Sequence, residues 1–377
     1  YFIQLVHSVF QNTFIIKQLC ISILLSLVSD CRKMLPRETF NFSYVSTHRI
    51  GYHIKEIYSI SFMKPRFLNI DFHISVIADV INIIGDKIDI VNLSMSGHNW
   101  VLGKENANLK IINDKTWKGI SQEMIDAFVK EYDDLLKSFD GFIVTHTPVL
   151  ALLYEKYNKP VIIVNSCRYE QPFCWNHNSH GFEWLNSKLN GMKHNLFIVS
   201  NNKADQEHLK KHTGLDSIHI PSLCLYTNEK YTGSTGVINR QDQLRRGYTW
   251  QGLYSSKAIL HVPYEISTMS IFEQYSANVP MLFPSKQFLK KIVRDGSHRV
   301  NSIYGPYENQ NIEWWIDRAD FYDEENMPYI IYFNSEDNLN EKIKTVDFQQ
   351  VSKLMGSFNE IRERSIKEKW ERLLQSI

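Results

Sequence analysis

The chain has 377 residues, 43% of them hydrophobic, 22% charged and 13% aromatic, which excludes the disordered and fibrous classes and favours two domains over one. Forty-two basic against forty-one acidic residues leave a formal charge of +1, so no global field points to nucleic acid or to an anionic membrane, and any phosphate must be held locally. The five cysteines, Cys20, Cys31, Cys167, Cys174 and Cys224, are odd in number, scattered and without a CxxC, which speaks against a zinc site or a disulfide framework and fits a cytoplasmic setting.

Residues 1–65 form an N-terminal segment of uncertain role. Only Lys17 and Asp30 are charged in the first thirty residues, and Cys20 to Val28 is an almost unbroken apolar run. The run is too short to span a bilayer, and Ser29-Asp30-Cys31-Arg32 is a poor cleavage site. A buried strand or helix, a signal or membrane-proximal segment, and an extension upstream of a start at Met34 are the readings it allows.

From residue 66 short β-branched runs alternate with helical stretches, the pattern of a parallel sheet covered by helices. Strands are predicted at 67–71, 88–94, 141–145, 161–165, 196–200 and 218–223, with helices at about 73–84, 120–137, 147–157, 179–192 and 203–212. Together they make a Rossmann-like N-terminal domain over 66–224. Residues 225–248 carry three glycines and three arginines with little apolar periodicity and read as a linker or mobile loop. A second Rossmann-like domain occupies 225–377, with strands at 258–263, 281–284 and 329–333 and helices at about 248–256, 268–278, 286–294, 311–319 and 336–345. Three strands are few for such a domain, so either a strand hides in 225–248 or the boundary lies earlier. The charged, amphipathic tail from 348 to 374 reads as a helix packing across both domains. The fold class is thus α/β, two Rossmann-like domains facing across a cleft.

The segment from Ala258 to Phe283 carries the clearest chemistry. A buried strand ends at Pro263, a loop holds Glu265, a helix holds Glu273 in its early turns, and Ala277-Asn278-Val279-Pro280 leads into the next strand. Open parallel sheets bind ligands at the carboxyl ends of their strands. Ser267 or Thr268 is a natural N-cap there, and the free amides of that helix start suit a diphosphate. Arg240, Arg245, Arg246 and Lys257 are the cations available to the phosphates. His146, Arg168 and Glu170 follow the two strands at 141–145 and 161–165, while Asp71, His73 and His98 follow the first two strands and are candidates for the base that an inverting transfer would require.

Glu265 and Glu273, separated by seven residues and followed by the Ala-x-x-Pro turn, resemble the E-x7-E element of retaining glycosyltransferases of the GT-B fold. The resemblance implies that Glu273 binds the ribose hydroxyls of the donor nucleotide and Glu265 contacts the donor sugar. The strand ending at His146, with the Pro160-led strand after it, resembles the same family's donor-facing histidine. Ile266-Ser267-Thr268 replaces the family's glycine-rich turn, so the chain resembles a divergent member. The implied function is metal-independent transfer of a sugar from a nucleotide-sugar donor to a glycan, lipid or protein acceptor, with retention and with no cofactor. No Asp-x-Asp, HExxH, P-loop or GxGxxG is present. A sugar-nucleotide epimerase, or a non-catalytic binding protein on a degenerate transferase scaffold, are the alternatives. Nothing calls for nucleic acid, and membrane contact stays open.

Overall fold

A computed structural model describes residues 64–176, 178–301 and 312–377. The readings made for the N-terminal segment lie outside the described residues apart from its last two positions. Strands β1 (Arg66–Asn69), β2 (Asp89–Asn92), β3 (Gly141–Thr145), β4 (Val161–Asn165), β5 (Leu196–Ser200) and β6 (Ile218–His219) form one parallel sheet in the order β2-β1-β3-β4-β5-β6. The order reverses between β1 and β3, which opens a crevice at their carboxyl ends. Strands β7 (Ile238–Asn239), β8 (Ile259–Leu260), β9 (Met281–Pro284) and β10 (Ile331–Phe333) form a second parallel sheet in the order β10-β9-β8-β7. The chain therefore adopts the expected α/β class, two Rossmann-like units joined in sequence.

β3, β4 and β9 are legible because they are covered on both faces, so apolar residues run continuously instead of alternating with polar ones. Every residue of β3 and β4 is buried. Side chains still alternate in direction: Phe67, Ile143, Ile162 and Val164 enter one core, while Leu68, Phe142, Val144, Val161 and Ile163 enter the other. Gly141 lets β1 and β3 approach, since a Cβ there would lie 2.4 Å from the Phe67 ring.

Helix α1 (Ile74–Ile84) follows β1, α2 (Gln122–Glu131) and α3 (Asp133–Lys137) precede β3, α4 (Ser179–Gly191) follows β4, and α5 (Lys203–Thr213) follows β5. The helix expected at 147–157 is instead a 3₁₀ helix, Pro148–Tyr157. Ten residues wound this way reach about 20 Å, against about 15 Å for an α-helix, which lets a short crossover travel the length of the sheet. The stretch expected to be a linker supplies β7 and helix α6 (Arg240–Arg246). Its strand has two residues, too few to show a period. Helices α7 (Trp250–Tyr254), α8 (Met269–Ser276), α9 (Lys286–Arg294), α10 (Ile312–Asp317) and α11 (Glu336–Thr345) complete the second unit.

The closing helix α12 (Phe348–Gln375) packs across both units as expected. Asn359 donates to Tyr275 O and to Asn278 Oδ1 on the second unit, whereas Lys369 donates to His219 O and Lys87 pairs with Glu371 on the first. One hydrophobic cluster runs through α1, α8, α10 and α12, so the two sheets share a core although their strands do not mix. No helix among the described residues is long and apolar enough to cross a membrane.

The chain passes between units at Leu223 and Cys224, and Asp79 of α1 fixes that passage. Its buried carboxylate accepts from Leu223 N at 3.1 Å and Cys224 N at 2.6 Å, holding Cys224 at a left-handed φ of 56°. Asp79→Ala would leave both amides buried and unpaired, at about 1–3 kcal/mol each. Urea unfolding should show a loss of about that size, and Asp79→Asn, which keeps an acceptor, a much smaller one.

Candidate functional site

The carboxyl end of β8 opens on a narrow pocket lined by Arg240, His261, Tyr264, Glu265, Thr268 and Ser270. Arg240 is the first residue of α6, which Asn239 caps by accepting from Gln241 N at 2.9 Å. Gln241 Nε2 donates to Val262 O at 3.0 Å and so ties this helix start to the loop after β8. The Arg240 guanidinium is 4% exposed and lies 4.2 Å from the centre of the Tyr248 ring. Its Nε and Nη1 have no hydrogen-bond partner among the described residues. A buried cation with unmet donors is costly unless an anion completes it.

The start of α8 faces the same pocket. Thr268 occupies the N-cap position, but its hydroxyl pairs with Ser270 Oγ at 3.2 Å and makes no capping bond to the helix amides. The first amides of a helix lack intrahelical acceptors and carry the positive end of its dipole. Ser267 points elsewhere, donating to the buried Asp320 carboxylate.

Glu265 lies on the pocket wall with its side chain 15% exposed. Its Oε1 accepts from Ile266 N at 2.9 Å and from Arg168 Nη1 at 3.3 Å. Arg168 comes from the first unit, just past β4, and is 2% exposed. It also meets Asp205 Oδ1 at 3.4 Å, without the alignment of a hydrogen bond, and lies 5.1 Å from the Trp315 ring centre. Glu170 pairs with His208 Nε2 at 2.9 Å in the same buried region.

Glu273 is 5% exposed and is not among the pocket-lining residues. Tyr226 Oη donates to its Oε1, and Trp250 Nε1 to its Oε2 at 3.3 Å. Burial raises its carboxyl above the ordinary value. Lys257 requires a correction. It precedes β8, at the amino end of that strand, and its ammonium lies 5.5 Å from the Phe348 ring centre, so it is remote from the carboxyl ends where ligands bind. The side chains of Arg245 and Arg246 lie outside the described ones.

His146 ends β3 at the switch-point crevice, with a left-handed φ of 73°. Its ring stacks on His73 at 5.5 Å and meets the edge of Trp117 at 6.2 Å, while Cys167 Sγ donates to its carbonyl at 3.2 Å. Burial pushes His146 down to about 3 and His73 down to about 4, so both rings are neutral at pH 7. His73 Nδ1 has no hydrogen-bond partner among the described residues. Asp71 is occupied instead, accepting from Ser94 Oγ at 2.5 Å and Thr145 Oγ1 at 2.6 Å. The structure thus gathers Glu265, Thr268 and Arg240 at one pocket and His146 and His73 at another crevice, with Arg168 bonded to Glu265 between the units.

Sequence reasoning missed His261, a pocket residue stacked on Phe283 at 4.7 Å and bonded to Gln274 Oε1 at 2.6 Å. Its position two residues before Pro263, at a strand's carboxyl end, was the available signal. Tyr264 and Asp320 had none.

No known protein family matches the chain, and no curated protein does. Among solved structures it is similar to the calicheamicin glycosyltransferase CalG4, at 8% identity over 84% of this chain and 99% of that one, with a TM-score of 0.39. It is similar to the glycosyltransferase SnogD from Streptomyces nogalater at 9% identity over 84% and 100%, TM-score 0.43. A putative UDP-N-acetylglucosamine 2-epimerase from Listeria monocytogenes matches at 12% identity over 78% and 91%, TM-score 0.38.

Asp71 offers a direct electrostatic test of the crevice. Burial raises its carboxyl from 3.8 to about 6, so the folded protein holds this proton more tightly than the unfolded chain. Its contribution is complete below pH 3.8 and is lost as pH rises through about 6. Unfolding free energies of Asp71→Asn and the natural protein should move apart in the variant's favour, by about 2 kcal/mol between pH 4 and 7.

Proposed function

We propose that the protein is a glycosyltransferase that takes a sugar from a nucleotide-sugar donor and passes it to a glycan, lipid or protein acceptor without a metal cofactor. The observation that carries this reading is Arg240, a buried guanidinium with two unmet donors at the pocket where α8 begins. A diphosphate meets both needs, because it accepts from the guanidinium and from the helix amides. The charge that develops on a departing nucleoside diphosphate would be stabilised by the same groups.

Glu265, on the pocket wall, is the donor-sugar contact in this reading, with Arg168 holding its carboxylate in place. Glu273 is the ribose ligand. A carboxylate has about four acceptor positions, and Tyr226 and Trp250 use two of them, so two hydroxyls have positions left. Thr268 lies at the diphosphate. His146 contacts a sugar hydroxyl from the first unit. Retention is what the Glu265–Glu273 resemblance implies. The second reading is inversion, in which a residue after the first two strands, Asp71, His73 or His98, would take the acceptor's proton; the burial that holds His73 down to about 4 counts against that ring as the base. The anomeric configuration of the product, read by NMR, separates the two.

Calorimetric titration with nucleoside diphosphates in excess EDTA tests the reading. The natural protein should bind, and Arg240→Gln should weaken binding by about tenfold or more, since charged hydrogen bonds are worth about 1.5–3 kcal/mol. Equal affinities would remove Arg240 from the site, and binding only after magnesium or manganese is added would overturn metal independence.

The two carboxylates should differ in kind. Glu265→Gln should lower turnover strongly while leaving nucleoside diphosphate affinity nearly intact, because its contact strengthens only as charge develops on the sugar. Glu273→Gln should weaken the nucleotide itself. Loss of stability in Glu273→Gln with unchanged affinity would assign that residue to the packing of Tyr226 and Trp250.

A further inference from the structure

A second recess, of ≈ 210 Å³, lies where the start of α5, the turn at 323–326 and the second half of α12 meet. It shares no lining residue with the pocket at β8. Its charges are unevenly matched. Lys203 Nζ is 3.0 Å from Asp323 Oδ1 and 3.0 Å from Glu325 Oε2, so it is neutralised within the wall. Lys369 Nζ donates only to the carbonyl of His219, at 3.2 Å, and pairs with no carboxylate among the described residues within ion-pair distance. Burial and then Arg372 hold its ammonium below the ordinary lysine value, with Lys203 adding to them and Asp323 and Glu325 opposing. An anion in the recess would relieve that strain.

Two further features define the occupant. Asn326 accepts from Arg362 Nε at 2.9 Å through its Oδ1, which fixes the amide, and its Nδ2 has no partner among the described residues. Beside His219 and Ser365, the wall carries an apolar strip of Phe358, Ile366 and Ile361, the last 62% exposed. Asp323 and Glu325 on the facing wall repel a second negative charge. We infer that this recess binds a small monoanionic carboxylate with a short apolar chain, its charge at Lys369 and its chain along Phe358 and Ile361.

Such a ligand would sit at the joint of the molecule. Arg362, in the floor, donates to Ser222 O at 2.6 Å and Ser276 Oγ at 3.2 Å, reaching the passage between units and the end of α8. Occupation stabilises the folded state by mass action. This inference does not depend on the donor-site reading.

Hexanoate is the probe, with 1-hexanol and inorganic phosphate as comparisons, measured by calorimetry and thermal unfolding on the whole chain. Saturable hexanoate binding that raises Tm is expected, with affinity reduced about tenfold in Lys369→Met, reduced also in Ile361→Asp, and not competed by phosphate. Both substitutions are at partly or well exposed positions, and an unchanged far-UV spectrum verifies the fold. Hexanol should bind weakly and equally to the natural protein and Lys369→Met. Absence of hexanoate binding at millimolar concentrations, equal affinity in Lys369→Met, or competition by phosphate would each overturn the inference.

Discussion

The candidate site depends on one buried cation. Arg168 cannot shed its charge, and at 2% exposure it must find acceptors inside the protein. It finds Asp205 in its own unit, Glu265 in the other, and the face of Trp315. The guanidinium therefore fixes how the loop after β4 stands against the loop after β8. Removing one member of such a set strands the others without compensation, which is why buried ion networks constrain geometry more than they add stability. Glu265 is held at the pocket wall by a residue from the opposite sheet, so the position of that carboxylate reports on the closure of the two units.

A chain with nearly balanced charge has only local arrangement with which to attract an anion. Arg240 is screened from solvent by Tyr248, and the start of α8 adds partial positive charge without any further basic residue. In a site of low dielectric these contributions act more strongly than the same charges on a surface would. The exposed cation Lys257, sequence-adjacent to β8, adds nothing there because it stands at the wrong end of the strand.

Most of the scaffold was legible in the sequence. β3, β4 and β9 are buried along their whole length and β5 over its last three residues; all four read as apolar runs, and their bounds agree with expectation to the residue. Where the fold relied on backbone pairing in place of side-chain pattern, reading failed: β7 has two residues and hid among polar neighbours, and the 3₁₀ crossover after β3 has the composition of an α-helix. At the pocket, strand-end position pointed to Glu265 and Thr268, whereas Arg240 was named only as one of four cations in and near a stretch read as a linker. Partners distant in sequence were beyond its reach, since the 97 residues between Arg168 and Glu265 are bridged only by the meeting of two sheets.

Glu265 and Glu273 show how one short element can divide its work. Both belong to the strand, loop and helix that follow β8, yet Glu265 precedes the helix, where the chain is still at the sheet's carboxyl edge, and Glu273 lies one turn inside it. That turn carries its side chain away from the pocket wall to Tyr226 and Trp250. The first carboxylate is positioned by a charge from the other unit and the second by neutral donors from its own. A change in the approach of the two units therefore acts first on Glu265, whose partner Arg168 belongs to the other unit, and less on Glu273, whose partners lie in its own.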